Sequence, residues 1–318
     1  MNRFRRLRAT PQLRRLVKET RLSSDDFIQP FFVIEGKNKR EEIPSMPGIY
    51  RYSVEDLLKA IESYQKAGGY AGLLFGVPKE KDLLASSAYS KEGIVQKALR
   101  AIKKEFPGFL IITDICLCSY TSHSHCGVIE NGWVDNDKTI ALLGKVAVSH
   151  SQAGADIVAP SDMMDFRVKT IRDDLDKNGF ENTPIMSYAV KYASAFYGPF
   201  RDAADSTPHF GDRKSYQMDP ANRREALKEA HQDVCEGADF IMVKPALPYL
   251  DIISDLKKEL TVPIVAYSVS GEYSMIKAAA AKKWVNEKDI VLETLTSIKR
   301  AGADIIISYY AKDVLKWL

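Results

Sequence analysis

Between Asp114 and Gly127 the chain reads Asp-Ile-Cys-Leu-Cys-Ser-Tyr-Thr-Ser-His-Ser-His-Cys-Gly, a run that holds Cys116, Cys118 and Cys126, three of its four cysteines. Three clustered thiolates favour a soft-ligand metal, zinc first. A zinc held by three protein ligands keeps its fourth position open, as a catalytic zinc requires. Cys116 and Cys118 are two apart, so an extended backbone turns both to one face. Cys126 then returns on a loop. A lone Cys-x-Cys would read as two small buried residues. The third cysteine, and the apolar strand-like Phe109–Ile115 just before, favour the metal. His123 and His125 are open at this level: ligands, outer partners or plain loop residues.

Two lysines stand in comparable settings. Lys244 ends the apolar run Phe240-Ile-Met-Val, and Lys191 follows Pro184-Ile-Met-Ser-Tyr-Ala-Val. A lysine closing a buried strand either snorkels to solvent or loses its charge to desolvation. In the second case it becomes an amine able to attack a carbonyl. Two such lysines near a metal point to Schiff-base chemistry. Arg201 and Arg213 lie on a long polar link from Tyr197 to Asn222, and arginine forks grip carboxylates at two points.

The elements that must position these groups alternate in type. Strand candidates are Phe27–Val33, Tyr70–Phe75, Phe109–Ile115, Asp156–Ala159, Pro184–Ala189, Phe240–Val243, Pro263–Ser268 and Asp304–Ser308. Amphipathic helical patterns lie between them, as in βαβ units. Gly-Ala-Asp recurs just before three strands, at Gly154, Gly237 and Gly302. The pattern predicts an α/β fold, a (β/α)8 TIM barrel with an extended N-terminal arm. An open doubly wound sheet is disfavoured, since no Gly-x-Gly-x-x-Gly follows the first strand. In a barrel the chemistry collects at the C-terminal strand ends. Asp114, Cys116, Cys118, Asp162, Lys191, Lys244, Ser268, Ser270, Glu272, Ser308, Tyr309 and Tyr310 all fall there. The expected organisation is an arm over residues 1–22, making oligomer contacts, and a catalytic barrel over 23–318 with a lid at about 197–222.

Bulk properties exclude other classes. A hydrophobic share of 45% supports a large core, and a net charge of +3 over 318 residues gives no reason to expect nucleic acid. Neither a membrane-spanning run nor a secretion signal is legible. Clustered cysteines suit a reduced, cytoplasmic setting with a metal better than a disulfide framework. The basic first twenty residues carry Phe4, Leu7, Leu13, Leu16 and Val17, something for a neighbouring subunit to cover.

The cysteine run, with Ala159-Pro-Ser-Asp-Met-Met-Asp165, Ser187–Arg201, Gly211–Gln217, Met242–Ala246 and Ser270-Gly-Glu-Tyr273, resembles the porphobilinogen synthase (5-aminolevulinate dehydratase) family along nearly the whole chain. The resemblance implies condensation of two 5-aminolevulinate molecules to porphobilinogen in tetrapyrrole (haem) biosynthesis. It implies Schiff bases on Lys244 for the first substrate and on Lys191 for the second. Cys116, Cys118 and Cys126 would hold catalytic zinc. Arg201 and Arg213 would bind one substrate carboxylate, Ser270 and Tyr309 the other. Glu229 matches an allosteric magnesium ligand, and the family's usual assembly is a homo-octamer wrapped by its arms. Asp114 is a candidate for proton transfer. Members with a second zinc carry a cysteine at the place of Ser215, so one zinc per chain is expected. A class I aldolase would leave Lys191 and the cysteines idle, and a zinc-storage protein would leave both lysines idle.

Overall fold

A computed structural model describes residues 2–318. Eight parallel strands form the barrel wall: β1 (Phe27–Ile34), β2 (Ala71–Val77), β3 (Leu110–Ile115), β4 (Ile157–Pro160), β5 (Met186–Lys191), β6 (Phe240–Lys244), β7 (Ile264–Ser268) and β8 (Ile305–Ser308). Hydrogen bonding runs β4-β3-β2-β1-β8-β7-β6-β5. A parallel bridge between Val158 and Ile185 closes the ring from β4 to β5. The expected barrel is therefore what this chain forms. Both faces of each strand are covered, which is why β1 and β2 are buried at every position.

Around the wall run α1 (Val54–Gln65), α2 (Ile94–Glu105), α3 (Asn136–Gln152), α4 (Arg167–Lys177), α5 (Arg224–Glu236), α6 (Leu250–Glu259), α7 (Ser270–Ala281), α8 (Glu287–Ala301) and a short α9 (Ala311–Trp317). The three Gly-Ala-Asp turns perform one device. Each glycine ends its helix at positive φ (106°, 107° and 128°), where a side chain would be strained. Each aspartate then accepts an N–H at the start of the neighbouring strand: Asp156 from Ile111 at 2.7 Å, Asp239 from Ile185 at 2.8 Å, and Asp304 from Ile264 at 2.8 Å. Its own N–H returns to the carbonyl of that same residue.

Four features go beyond the pattern. Two partly exposed hairpins, Arg40–Glu42 with Tyr50–Tyr52 and Val128–Glu130 with Trp133–Asp135, lack the apolar runs that mark strands. The terminal α9 packs beside β1, Lys312 N–H donating to Gln29. The Tyr197–Asn222 link contains a helix at Gly198–Ala203. At the N-terminus a 3-10 turn (Phe4–Arg8) precedes a short helix (Pro11–Leu16) capped by Thr10, and neither has a buried residue. No helix among the described residues is long and apolar enough to cross a membrane.

Candidate active site

The lysines are set by β5 and β6, whose last residues pair in register, Lys244 against Lys191. Between Ser187 and Val190 on β5 the partner strand advances only from Ile241 to Val243, so β5 carries one extra residue, a bulge. That extra residue shifts the alternation. Tyr188 and Lys191, three apart, consequently approach each other, the Lys191 Nζ lying 5.7 Å from the Tyr188 ring centre.

Neither lysine snorkels: Lys191 is 5% exposed and Lys244 4%. Lys244 Nζ sits among the rings of Tyr267 (4.5 Å), Phe200 (4.8 Å), Tyr188 (5.0 Å) and Tyr197 (5.4 Å). Burial, then the nearby Lys191 cation, push its pKa down to about 7. Near neutrality a large share of this amine is thus uncharged and nucleophilic. Lys191 instead donates to the carbonyl of Ser161 at the end of β4. Asp114, at the end of β3, is pushed up to about 6 by burial and by negative charge at Cys118, against the pull of Ser161 and both lysines. One of its oxygens has no partner. A carboxyl that titrates near neutrality is suited to moving a proton.

Cys116, Cys118 and Cys126 are buried and free of disulfides. Their sulfurs all lie within 4.8 Å of one another, with Cys116 and Cys118 at 3.5 Å. Zn–S bonds of ~2.3 Å set tetrahedral sulfurs about 3.8 Å apart, so the trio fits a zinc with small adjustments. The electrostatics fit as well. Hydrogen bonds from Cys116 and Cys126 lead in pushing the Cys118 thiol well down, and Arg213 and Lys191 add to it. The bond to Cys118 leads in pushing Cys116 up. His125 is already engaged at both ring nitrogens, by the Tyr216 hydroxyl at 3.1 Å and the Phe210 carbonyl at 3.0 Å. His123 accepts from the His125 N–H at 3.1 Å and keeps one buried nitrogen without a partner.

The 197–222 segment brings two arginines to this chamber. Arg213 is buried and donates to the carbonyls of Ser124 (3.0 Å) and Ser206 (2.5 Å). Arg201 is half-buried, and burial followed by repulsion from Arg213 pulls its pKa down. Each retains an Nε without a partner. Across the barrel Ser270 is buried and donates to the Phe196 carbonyl at 3.3 Å. The Tyr309 and Tyr267 hydroxyls meet at 3.1 Å.

Glu229 is not part of this constellation. It lies on α5, outside the wall, in a cavity of about 420 Å³ with Asp165, Glu225 and the Lys214–Asp219 stretch. Burial leads in raising it to about 6. Among the described residues the cysteine trio is the single grouping of three or more metal-type donors.

Sequence reasoning missed Ser161 and the Tyr188, Tyr197, Phe200 and Tyr267 cage. Tyr188 and Tyr267 were legible only as strand residues, and Tyr197 and Phe200 only as part of the long link beside the arginines. The bulge that turns Tyr188 toward the lysines depends on pairing between distant strands.

The family model for delta-aminolevulinic acid dehydratase matches residues 1–317. The delta-aminolevulinic acid dehydratases of Bacillus subtilis and Synechococcus elongatus are 58% and 55% identical to this chain, each covering 100% of it and 98% of the relative. The crystal structure of the Toxoplasma gondii enzyme in complex with porphobilinogen superposes with a TM-score of 0.98 at 46% identity, covering 100% of this chain and 92% of that one. These matches span the barrel and every residue of the constellation, and the chain belongs to the delta-aminolevulinic acid dehydratase (porphobilinogen synthase) family.

Proposed function

We propose that this protein condenses two 5-aminolevulinate molecules into porphobilinogen, with loss of two waters, as a step of tetrapyrrole biosynthesis. The observation that carries this reading is the pair of buried lysines in register on adjacent strand ends, in one chamber with three thiols and the half-buried Asp114 carboxyl. The uncharged Lys244 amine attacks the ketone of the first substrate, and water leaves as the C=N bond forms. Lys191 does the same for the second. Both imines lower the barrier to losing a proton from the neighbouring carbon, and Asp114 is placed to carry that proton. Arg201 and Arg213 hold one carboxylate, Ser270 and Tyr309 the other. The aromatic cage excludes water from Lys244 and keeps its amine neutral.

Cys116, Cys118 and Cys126 would hold zinc, whose chemistry here is to polarise an amine, a carbonyl or a departing water near Lys191. Glu229, with Asp165 and Glu225 nearby, would hold a magnesium through one or two carboxylates and waters. Residues 1–22 form the oligomerisation arm of a cytoplasmic homo-octamer. The exposure of Phe4 (79%) and Leu16 (76%) supports this, because an isolated barrel offers them no partner. Residues 197–222 act as the lid. The test is incubation with 5-aminolevulinate, zinc and a thiol reductant, followed by Ehrlich's reagent. A coloured pyrrole is expected, and its absence overturns the assignment.

A further inference from the structure

Glu272 is 2% exposed and has no lysine or arginine partner, yet it lies on the reactive rim. It is the third residue of α7, and its carboxylate spans two neighbouring βα-loops. One oxygen accepts the N–H of Leu247, 2.6 Å away, in the loop that leaves Lys244. The other accepts the N–H of Val269, in the loop that carries Ser270. Only two residues separate Lys244 from Leu247, and one separates Glu272 from Ser270. Burial pushes the Glu272 carboxyl up to about 7, against the backbone N–H groups of Val269, Leu247 and Ala246 that favour its charged form. Above that pH it is a carboxylate, and each such bond to a charged acceptor is stronger than a neutral one.

We propose that Glu272 is a positioning residue: it clamps the Lys244 loop to the Ser270 loop and so fixes the distance between the amine and the carboxylate site of the first substrate. The inference rests on the Schiff-base role given to Lys244 above. An apolar side chain of similar size would fill the same space but leave the N–H groups of Leu247 and Val269 without an acceptor. A clamp needs two acceptor oxygens at one separation. Glutamine keeps the size and one acceptor, but its amide nitrogen cannot accept the second N–H and turns a donor toward it.

The test uses the full-length, zinc-loaded protein. Borohydride trapping of 5-aminolevulinate at Lys244, read by peptide mass, is timed for the natural protein and for Glu272→Gln and Glu272→Asp. Melting temperature and bound zinc are measured in parallel. Glu272→Gln is expected to slow trapping about tenfold and to raise KM more than it lowers kcat, the loss of one charge-assisted hydrogen bond. Its zinc content should remain that of the natural protein. Its melting temperature should fall by no more than roughly ten degrees, the cost of one buried N–H left without an acceptor, which leaves the protein folded at assay temperature. Glu272→Asp, which keeps two acceptors, is expected to recover part of the trapping rate. Trapping by Glu272→Gln at the natural rate overturns the clamp. So does a loss of trapping that only accompanies loss of zinc or unfolding at the assay temperature. If the natural protein itself traps nothing at Lys244, the Schiff-base reading fails first and the clamp falls with it.

Discussion

The two ends of the barrel treat buried and half-buried charge in opposite ways. At the N-terminal end, Asp156, Asp239 and Asp304 each close a strand start, and Asp156 and Asp304 also meet Lys103 (2.5 Å) and Lys257 (2.7 Å). At the C-terminal end, Lys244 faces aromatic rings and another cation, Asp114 has an oxygen without a partner, and three thiols crowd together. The first arrangement lowers the energy of the fold. The second leaves groups whose charge is costly, and those are the groups whose protonation and nucleophilicity can change at neutral pH. The barrel keeps its stability at one end and its chemistry at the other.

The sharpest way to break this contrast is to exchange the outcomes. Lys244→Ala should lower porphobilinogen formation by about a thousandfold or more, as loss of a covalent nucleophile does elsewhere. It should leave the melting temperature unchanged or raised, because a buried cationic group is removed. The Ehrlich assay and a thermal melt read the two effects. A large drop in melting temperature with activity retained would place Lys244 among the stabilising groups.

Metal removal comes next. Chelation should lower turnover about a hundredfold or more, the loss of several kcal/mol of charge stabilisation, and added zinc should restore it. The wall of eight strands does not depend on the cysteine loop, so circular dichroism should report an intact barrel throughout. Chelator-resistant turnover would remove the trio from the reactive end.

The pH profile tests the same contrast more gently. Lys244 has a pKa lowered to about 7, so protonation silences its amine below that value. kcat/KM should fall about tenfold per unit well below pH 7 and level off above it. Lys244→Arg cannot serve as a control, since a guanidinium stays charged. The informative measurement is the pH dependence of borohydride trapping, which isolates the amine from the later steps. A trapping rate independent of pH between 5 and 9 would contradict the desolvated-amine account.

Much of the reactive end was legible in the linear chain, and the reason is physical. A lysine that ends an apolar strand, and thiols that follow one, break the ordinary pattern of their element and stand out. Eight apolar runs separated by amphipathic ones carry the barrel in the same way. What stayed hidden depends on strands far apart in sequence. Tyr188 faces the lysines because β5 bulges against β6, and Ser161 matters because β4 ends beside Lys191. Glu272 is legible as one of the polar groups on the reactive rim, but its hold on the Leu247 loop depends on two neighbouring βα-loops meeting. The Gly-Ala-Asp turns were visible as a repeat. Their use, an aspartate joining one strand to the next, required the sheet order.

Those turns carry the smallest of the expected effects and the one that defines the quiet end of the barrel. Asp304 accepts the Ile264 N–H at 2.8 Å and meets Lys257 at a partly exposed site. The exposed ion pair contributes little, about 0–1 kcal/mol. The bond to the backbone N–H matters more, because a strand-start donor loses its acceptor when the side chain goes. Asp304→Ala should therefore cost about 1–2 kcal/mol in urea unfolding. Asp304→Asn, which keeps an acceptor and drops the charge, should cost less than half as much. Neither change should alter KM or kcat beyond a factor of about two, since Asp304 lies across the length of β8 from Tyr309. If Asp304→Ala lowered kcat as strongly as it lowered stability, the two ends would be coupled through the wall, and the division of labour drawn between them would not hold.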